Sequence, residues 1–192
     1  MLWVPAYGST QLQGGLCMAI RDIWQVKMLD VGSLLLGIAQ YIIMKFHNKK
    51  VGFLNLYAPN SSSELLKMWS ELDSSLLVVD HWCIVGDFNM IEDPDDRSGK
   101  GGATVHGLEL STWETFTVSR RLLDVWHLPT FGKLHNSLMF SRSDRRLNGA
   151  NRSRVDRIYV DLFVVIGGSV GIYPGTNFSD HAPAVLQVND GK

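Results

Sequence analysis

The sequence of this chain is organised around one short segment, residues 82–89, which reads WCIVGDFN. Four apolar residues end at Gly86, and Asp87 and Asn89 follow it. An apolar run of this kind predicts a strand buried on both faces, such as a central strand of a covered sheet. Gly86 lets the backbone leave that strand sharply, and side chains at i and i+2 of an extended segment point the same way. We therefore expect Asp87 and Asn89 side by side at a strand end, although an Asx turn closing a strand fits these residues equally well.

The composition indicates one compact globular domain over residues 1–192. Of these residues, 45% are hydrophobic, and the formal net charge is −1 at pH 7. This charge argues against a generally basic nucleic-acid binder but allows a local basic patch. Cys17 and Cys83 lie in apolar runs, which favours reduced core thiols and an intracellular protein, nuclear or cytoplasmic. The sequence has neither a signal-peptide pattern nor a comfortable membrane span, and it indicates no obligate protein partner.

A strand and a helix are predicted before the central strand. Residues 51–57 predict the strand, Pro59 breaks it, and Ser61 with Glu64 has the form of a helix capping box. Apolar residues then recur at helical spacing, at Leu65, Leu66, Trp69, Leu72 and Leu76. The order strand, helix, strand is the βαβ signature of a layered α/β protein.

The remaining segments predict further strands and one more helix. Residues 1–13 are expected to be irregular, and the most apolar stretch, residues 31–46, is expected to be buried strand, with a strand candidate at residues 37–46 and a hairpin connection at residues 47–50. Further strands are predicted at residues 16–20, 138–140, 155–160 and 184–188, and a second helix at residues 107–121.

Polar side chains interrupt or end several of these apolar segments. A carboxylate inside an apolar strand is costly unless it is paired or bound to a cation. Because four separate segments share this feature, we expect them to converge on one cleft, as in a metal-assisted phosphoryl-transfer site. The residues concerned are Asn55, Tyr57, Asn60, Asp87, Asn89, Asp156, Asp180 and His181.

Four motifs follow one another along the chain: NLYAPN at residues 55–60, GDFN at 86–89, SRVDRI at 153–158 and SDH at 179–181. Together they resemble the successive motifs of the endonuclease/exonuclease/phosphatase family, which includes DNase I and the apurinic/apyrimidinic endonucleases. The likeness is strongest to the endonuclease domain of plant LINE-type non-LTR retrotransposons. It extends from about Gly14 over nearly the whole chain, and four motifs in this order are highly specific.

The resemblance implies an α/β fold, a DNase I-like four-layer sandwich of two packed mixed β-sheets flanked by helices, with the site at one end. A complete member of the family begins with two strands that carry an Asn and then a Glu, the principal Mg²⁺ ligand. Residues 1–13 contain neither Asn nor Glu. We therefore expect a domain that lacks the first strands, is incomplete at its N-terminus and has impaired metal binding and hydrolysis.

The resemblance also implies roles for residues of the first two motifs. Tyr57 and Asn60 are expected to donate hydrogen bonds to the scissile phosphate. Asn89 is expected to do the same or to hold the attacking water, which Asp87 would position or deprotonate.

The last two motifs are expected to supply a hydrogen-bonded pair of a histidine and a carboxylate, and part of a metal site. His181 would contact the phosphate and stabilise its charge, with its tautomer fixed by Asp156. A Mg²⁺ ion, or Mn²⁺ in its place, would lie near Asp180 and Asp87, because Mg²⁺ prefers oxygen ligands and keeps several waters.

Arginines crowd residues 142–157, and Arg142, Arg145 and Arg154 are predicted to bind DNA phosphates. A solvated loop explains these arginines equally well. The structural alternatives for the motifs are an ordinary strand aromatic at Tyr57, an ion pair between Asp156 and Arg157, and a plain turn at residues 180–181.

Three functions compete on the sequence alone. The first is a Mg²⁺-dependent phosphodiesterase acting on DNA, descended from the strand-nicking module of a retroelement. The second is a non-catalytic remnant with at most nucleic-acid-binding ability. The third, a phosphatase of phosphoinositides or other small phosphoesters, is disfavoured by the retrotransposon-like sequence at residues 85–97 and 124–129.

Overall fold

The computed structural model describes residues 1–6, 16–98, 107–135, 137–143, 151–161, 168–173 and 179–188. None of the helices in these ranges has the length and apolar character needed to cross a membrane. The helices are α1 (Asp22–Gln25), α2 (Ser62–Ser75) and α3 (Gly107–Arg120), with short 3-10 helices at Pro94–Asp96 and Val125–His127. The strands are β1 (Leu2–Ala6), β2 (Leu16–Ile20), β3 (Met28–Leu35), β4 (Ala39–Phe46), β5 (Lys49–Tyr57), β6 (His81–Asp87), β7 (Arg97–Ser98), β8 (Leu122–Asp124), β9 (Phe131–Lys133), β10 (Arg142–Ser143), β11 (Arg152–Ser153), β12 (Asp156–Asp161), β13 (Gly168–Ile172) and β14 (Ala184–Val188).

The largest sheet of the described residues has six strands in the order β3-β4-β5-β6-β12-β8. β5 and β6 are parallel and are joined by α2, which confirms the predicted βαβ unit. The other neighbours in this sheet are antiparallel. Because β6 lies inside the sheet and both faces of the sheet are covered, its sequence is apolar throughout most of its length.

Helices α2 and α3 cover one face of this sheet. Successive side chains of a strand alternate between faces, so every second residue of β5 and β6 points toward the helices. Leu54 and Ile84 are fully buried there in one core with Trp69 of α2 and Trp113 of α3, whose rings lie 4.5 Å apart. Phe88 packs 5.1 Å from Trp113. This aromatic contact anchors the chain immediately after β6.

The opposite face of the six-stranded sheet packs against a second mixed sheet, β14-β13-β9. β13 is antiparallel to β14 and parallel to β9. Val85 of β6 and Ile158 of β12 share a core with Val170 of β13. β2, paired with β1, packs farther along the same face through Ile20 and Ile42. The predicted α/β architecture of packed mixed sheets with helices outside is therefore confirmed.

Two local predictions of secondary structure are wrong, and a third holds in part. Residues 2–6, expected to be irregular, form β1 because they pair with β2 along their whole length. The strand predicted at residues 37–46 is β4, but residues 31–35 belong to the partly exposed β3, and the two strands form a hairpin whose turn contains Gly37, at φ 70°, where glycine is favoured. Residues 138–140 form no strand. Their apolar side chains line a cleft instead.

Two further expectations hold only in part. Ser61 is the N-cap of α2, but its hydroxyl donates to the Glu64 carboxylate at 2.6 Å and makes no cap hydrogen bond to the backbone. Both cysteines are free. Cys83 lies between the sheets, where burial raises its pKa to about 12. Cys17 is exposed, since its side chain points away from the core that Leu16 joins.

Candidate active site

The second sequence motif lies where the middle strand of the large sheet ends. Asp87 is the last residue of β6, in register with Tyr57 at the end of β5 and with Asp156 at the start of β12. Residues in register on adjacent strands have their side chains on the same face of the sheet. Tyr57, Asp87 and Asp156 therefore form a row across three strands, on the face turned toward the second sheet.

His181 joins two residues of this row. Its Nδ1 lies 2.8 Å from Asp156 Oδ2, and its Nε2 lies 3.8 Å from Asp87 Oδ2. One potential ligand atom from each residue lies within 4.8 Å of the other two. The three side chains are only 11–26% exposed, yet each retains contact with solvent. We call Asp87, Asp156 and His181 the open cluster. His181 and Asp156 therefore lie at hydrogen-bond distance, as the predicted pair requires.

The open cluster carries an excess of negative charge. The hydrogen bond to Asp156 raises the pKa of His181, burial opposes this, and the charges of Asp156, Asp87 and Asp180 raise it further. Burial is the main cause that raises the pKa of Asp87. The backbone hydrogen bond from Asn89 opposes it, and the Asp156 charge adds to it. Two carboxylates held this close to each other attract a cation.

Backbone geometry at the end of β6 explains the GDFN sequence. Gly86 has φ 144°, and a Cβ there would lie 1.9 Å from the Leu56 carbonyl oxygen, so only glycine fits beside β5. Asn89 has φ 45°, which asparagine tolerates. Its backbone N–H donates to Asp87 Oδ1 at 2.9 Å, and its Nδ2 donates to the Ala58 carbonyl at 2.6 Å. The Asx turn is therefore present, and it orients the Asp87 carboxylate within the open cluster.

The other predicted phosphate and metal residues lie at the rim. Tyr57 is 43% exposed, and Asn60 is exposed in the bend after β5. Asp180 is exposed and lies 3.6 Å from Arg142. The described group that could hold a metal ion includes Asp87 but not Asp180. The roles assigned to Tyr57, Asn60 and Asp180 stay predictions.

The three arginines predicted to bind DNA have different environments. Arg142 is partly exposed in β10, so its role stays a prediction, and Arg145 lies outside the described residues. The prediction for Arg154 is wrong. Its side chain is only 2% exposed and binds Asp96 at 2.7 Å and Asp124 at 2.6 Å. A guanidinium enclosed in this way cannot reach a DNA phosphate.

Arg154 belongs to a group of buried charges on the helix side of the sheet. Arg157 lies 2.8 Å from Asp96, 3.3 Å from Asp124 and 3.3 Å from Glu92. We call Glu92, Asp96, Asp124, Arg154 and Arg157 the buried network. Each guanidinium in it contacts at least two carboxylates, which is the condition under which buried charge is tolerated.

The acidic half of the buried network was not predicted from the sequence. Asp96 lies in a segment that reads as a polar loop. One signal was available, because Asp93 and Pro94 begin a 3-10 helix whose capping box joins Asp93 to Asp96. An ion pair between Asp156 and Arg157, the structural alternative, is excluded because consecutive strand residues face opposite sides of the sheet.

An open cleft of about 440 Å³ lies beside the open cluster. Residues 138–143, Arg152 and residues 179–182 line it. Leu138 and Met139 expose 39% and 55% of their surface there. The cleft gives a substrate direct access to His181.

The open cluster fits a divalent cation bound through oxygen. Nδ1 of His181 faces Asp156, so it is engaged in that hydrogen bond. The carboxylate oxygens of Asp87 and Asp156 remain as hard ligands of the type that Mg²⁺ and Mn²⁺ prefer. Nε2 of His181 is left for another contact.

No protein-family model and no curated protein matches this chain. Solved structures do match. The catalytic domain of Xenopus laevis APE2 gives a TM-score of 0.58 at 20% identity, covering 80% of this chain, which spans only 55% of that domain. The 3'-5' exonuclease NExo from Neisseria meningitidis gives 0.68 at 15% identity, covering 97% of this chain and 80% of NExo. The endonuclease domain of TRAS1, a telomere-specific non-LTR retrotransposon, gives 0.58 at 14% identity, covering 99% of this chain and 81% of that domain.

The chain therefore has a DNase I-like fold. The solved structures that share this fold with it include AP endonucleases, an exonuclease and a retrotransposon endonuclease domain. The resemblance drawn from the four sequence motifs is confirmed at the level of the fold.

Proposed function

We propose that this chain is a divalent-metal-dependent phosphodiesterase that nicks DNA, descended from the endonuclease domain of a plant LINE-type retrotransposon. The observation that carries this proposal is the open cluster. Asp87, Asp156 and His181 come from three separate segments, and their potential ligand atoms lie within 4.8 Å of one another in a DNase I-like fold. The DNA substrate is proposed because the neighbours include AP endonucleases and a 3' phosphatase bound to a product DNA hairpin.

In this proposal the open cluster moves one proton and stabilises one charge. Asp87 holds or deprotonates the attacking water, and its raised pKa makes it a stronger base than an ordinary aspartate. Asp156 holds Nδ1 of His181 and thereby raises the pKa of the imidazole. A protonated His181 presents its Nε2–H to a phosphate oxygen, where charge develops during the reaction.

Residues at the rim would bind the phosphate in this proposal. Tyr57 and Asn60 donate hydrogen bonds to it from the end of β5 and the following bend. Asn89 uses one N–H of its amide on the Ala58 carbonyl, which leaves the second N–H and the Oδ1 atom for the phosphate or the water. Arg142 contributes a partly exposed positive charge beside the cleft.

A bound Mg²⁺ or Mn²⁺ would polarise a phosphoryl oxygen and offset the charge of the transition state. Asp87 and Asp156 would hold it, with Asp180 close by. Two carboxylates are a small ligand set, and cation affinity rises with the number of charged ligands. We therefore also propose that ion binding is weak and that hydrolysis is slow.

A plasmid-nicking assay tests the proposal. Conversion of supercoiled to open-circular DNA is followed with Mg²⁺ or Mn²⁺ and with a chelator. Wild-type protein is expected to nick only with the ion, and Asp87→Asn is expected to lower the rate by about a hundredfold or more. Asp73→Asn is the matched control, because it makes the same chemical change at an exposed position on α2.

The proposal fails if the wild-type protein shows no ion-dependent nicking. It also fails if Asp87→Asn nicks as fast as the wild type, since the activity would then arise elsewhere. Equal losses in Asp87→Asn and Asp73→Asn would indicate an effect of surface charge.

A non-catalytic DNA-binding remnant is the second candidate, and the small ligand set of the open cluster favours it. The two candidates differ in ion binding. Isothermal titration with Mn²⁺ is expected to show one site that disappears in Asp87→Asn. DNA binding without any such site would favour the remnant.

A further inference from the structure

The two members of the Asp156–His181 pair are held together by a third residue, Ser141. Ser141 is 1% exposed and lies between the segments that carry Asp156 and His181. Its hydroxyl oxygen accepts hydrogen bonds from the backbone N–H of Asp156 at 3.0 Å and of Val155 at 3.2 Å. Its carbonyl oxygen accepts a hydrogen bond from the backbone N–H of Ala182 at 2.6 Å.

The neighbours of Ser141 extend this connection in both directions. The backbone N–H of Ser143 donates to the carbonyl of Asp180 at 3.0 Å, and Arg142 forms a backbone bridge with His181. On the other side, the Val155 carbonyl accepts from the backbone N–H of Phe88 at 2.9 Å. The residues that follow Asp87, precede Asp156 and follow His181 are thus joined through one short segment.

We propose that Ser141 is a positioning residue for the open cluster. Its hydroxyl oxygen fixes the backbone of Asp156, and its carbonyl fixes the backbone beside His181. One residue therefore sets the distance between Asp156 Oδ2 and His181 Nδ1. This proposal rests on the proposed function for its catalytic consequence but not for its structural one.

The chemistry of the site requires a small hydroxyl side chain. Without this oxygen, the backbone N–H groups of Val155 and Asp156, at the entry to β12, would lose their acceptor. Alanine has the right size but no acceptor. Loss of the oxygen frees the backbone of Asp156 to shift, and the carboxylate then no longer holds the imidazole in one tautomer and orientation.

The test compares Ser141→Ala with two matched variants. Ser153→Ala removes a hydroxyl from the adjacent strand β11 and leaves both hydrogen bonds of Ser141 in place. Ser141→Thr keeps the acceptor oxygen. The first readout is the NMR signal of the His181 Nδ1 proton in metal-free protein at fixed pH. The second is the split between kcat and KM in plasmid nicking, measured well below the Tm of each variant.

Ser141→Ala is expected to weaken or shift the Nδ1 proton signal and to lower kcat by about 10–100-fold, the range seen when a supporting partner of a site residue is removed. KM for DNA is expected to stay near the wild-type value, because Ser141, although it belongs to the wall of the cleft, is only 1% exposed and offers a ligand almost no surface. Ser153→Ala and Ser141→Thr are expected to keep both the signal and kcat.

An unchanged Nδ1 signal in Ser141→Ala would overturn the proposal, and so would an equal loss in Ser153→Ala or in Ser141→Thr. If Ser141→Ala does not fold, Ser141→Cys, whose sulfur is a weaker acceptor, provides the same comparison. If the wild type does not hydrolyse DNA, the proposed function fails, and the NMR signal alone decides the role of Ser141.

Discussion

Two groups of charged residues meet at the start of β12, on opposite faces of the six-stranded sheet. The buried network on the helix side contains Arg154 and Arg157, whose side chains are 2% and 0% exposed and contact carboxylates at 2.6–3.3 Å. The open cluster on the other side contains Asp156 and His181, which border a cleft and carry excess negative charge. Consecutive residues of one strand thus enter opposite environments.

A structural charge differs from a functional one in its partners and in its access to solvent. In the buried network each charge has partners of the opposite sign, so removal of one residue leaves an uncompensated charge in the core. In the open cluster two carboxylates share one histidine, and solvent can reach all three residues. Accessible charge at a cleft is available for a ligand, whereas enclosed charge that is already paired is not.

The largest expected effect is on stability, from Arg154→Met. This change leaves Asp96 and Asp124 short of a buried cation, and we expect the free energy of unfolding to fall by about 3–5 kcal/mol. Urea denaturation measures it. Arg142→Met is the matched control, because Arg142 makes only an exposed contact, worth about 0–1 kcal/mol. Equal losses in the two variants would remove the distinction between the two regions.

Asp156→Asn is expected to show the reverse pattern. It keeps the shape of the side chain but weakens its hold on His181, so we expect the nicking rate to fall by about a hundredfold. The free energy of unfolding should change by less than about 1 kcal/mol, since the residue is partly exposed. Asp124→Asn makes the same change in the buried network. Asp124→Asn should lower the free energy of unfolding and preserve the nicking rate per folded molecule. A loss of nicking rate in Asp124→Asn would contradict the distinction between the two regions.

Ion binding gives a smaller effect that should depend on the open cluster alone. At a Mn²⁺ concentration ten times Kd, mass action raises the free energy of unfolding by about 1.4 kcal/mol. Thermal denaturation with and without Mn²⁺ measures this increase. We expect it to be lost in Asp87→Asn and kept in Asp96→Asn. Stabilisation by the ion in both variants would mean that it binds elsewhere.

The two regions should also respond to pH in opposite directions. Burial acts to raise the pKa of Asp96, but the charges of Arg157 and Arg154 outweigh it, so the pKa is lowered. The stability that Asp96 contributes is therefore present above its unfolded pKa, about 4, and is lost as pH falls through the folded value. The pKa of His181 is raised, chiefly by its hydrogen bond to Asp156. Its contribution is complete below the unfolded pKa of about 6.5 and is lost as pH rises through the folded value.

Denaturation of two variants across pH separates these contributions. The stability difference between wild type and Asp96→Asn should shrink in acid. The difference between wild type and His181→Gln should shrink at alkaline pH. Glu92, whose pKa is raised by burial, opposes the trend of Asp96, so variants rather than the wild-type curve alone are compared. A difference that does not vary with pH in either variant would contradict the assigned direction.

Much of the fold could be predicted because its signals are local. The apolar run before Gly86 indicated the interior strand, and helical spacing indicated α2 between β5 and β6. The grouping of Asp87, Asp156 and His181 followed from the order of four motifs. Local patterns could not predict the environment of Arg154. Its partners Asp96 and Asp124 are 58 and 30 residues away along the sequence.

The sequence by itself determined the interior strand, the βαβ unit and the residues that the DNase I-like fold brings together, because apolar period and motif order are properties of the chain. Only the tertiary structure decided which charges are structural. Arg154 and Arg157 flank Asp156 within four residues, and the identity of these residues does not indicate which face of the sheet each side chain occupies. Strand register and contacts between distant segments turn the arginines inward to their carboxylates and leave Asp156 with His181 at the cleft.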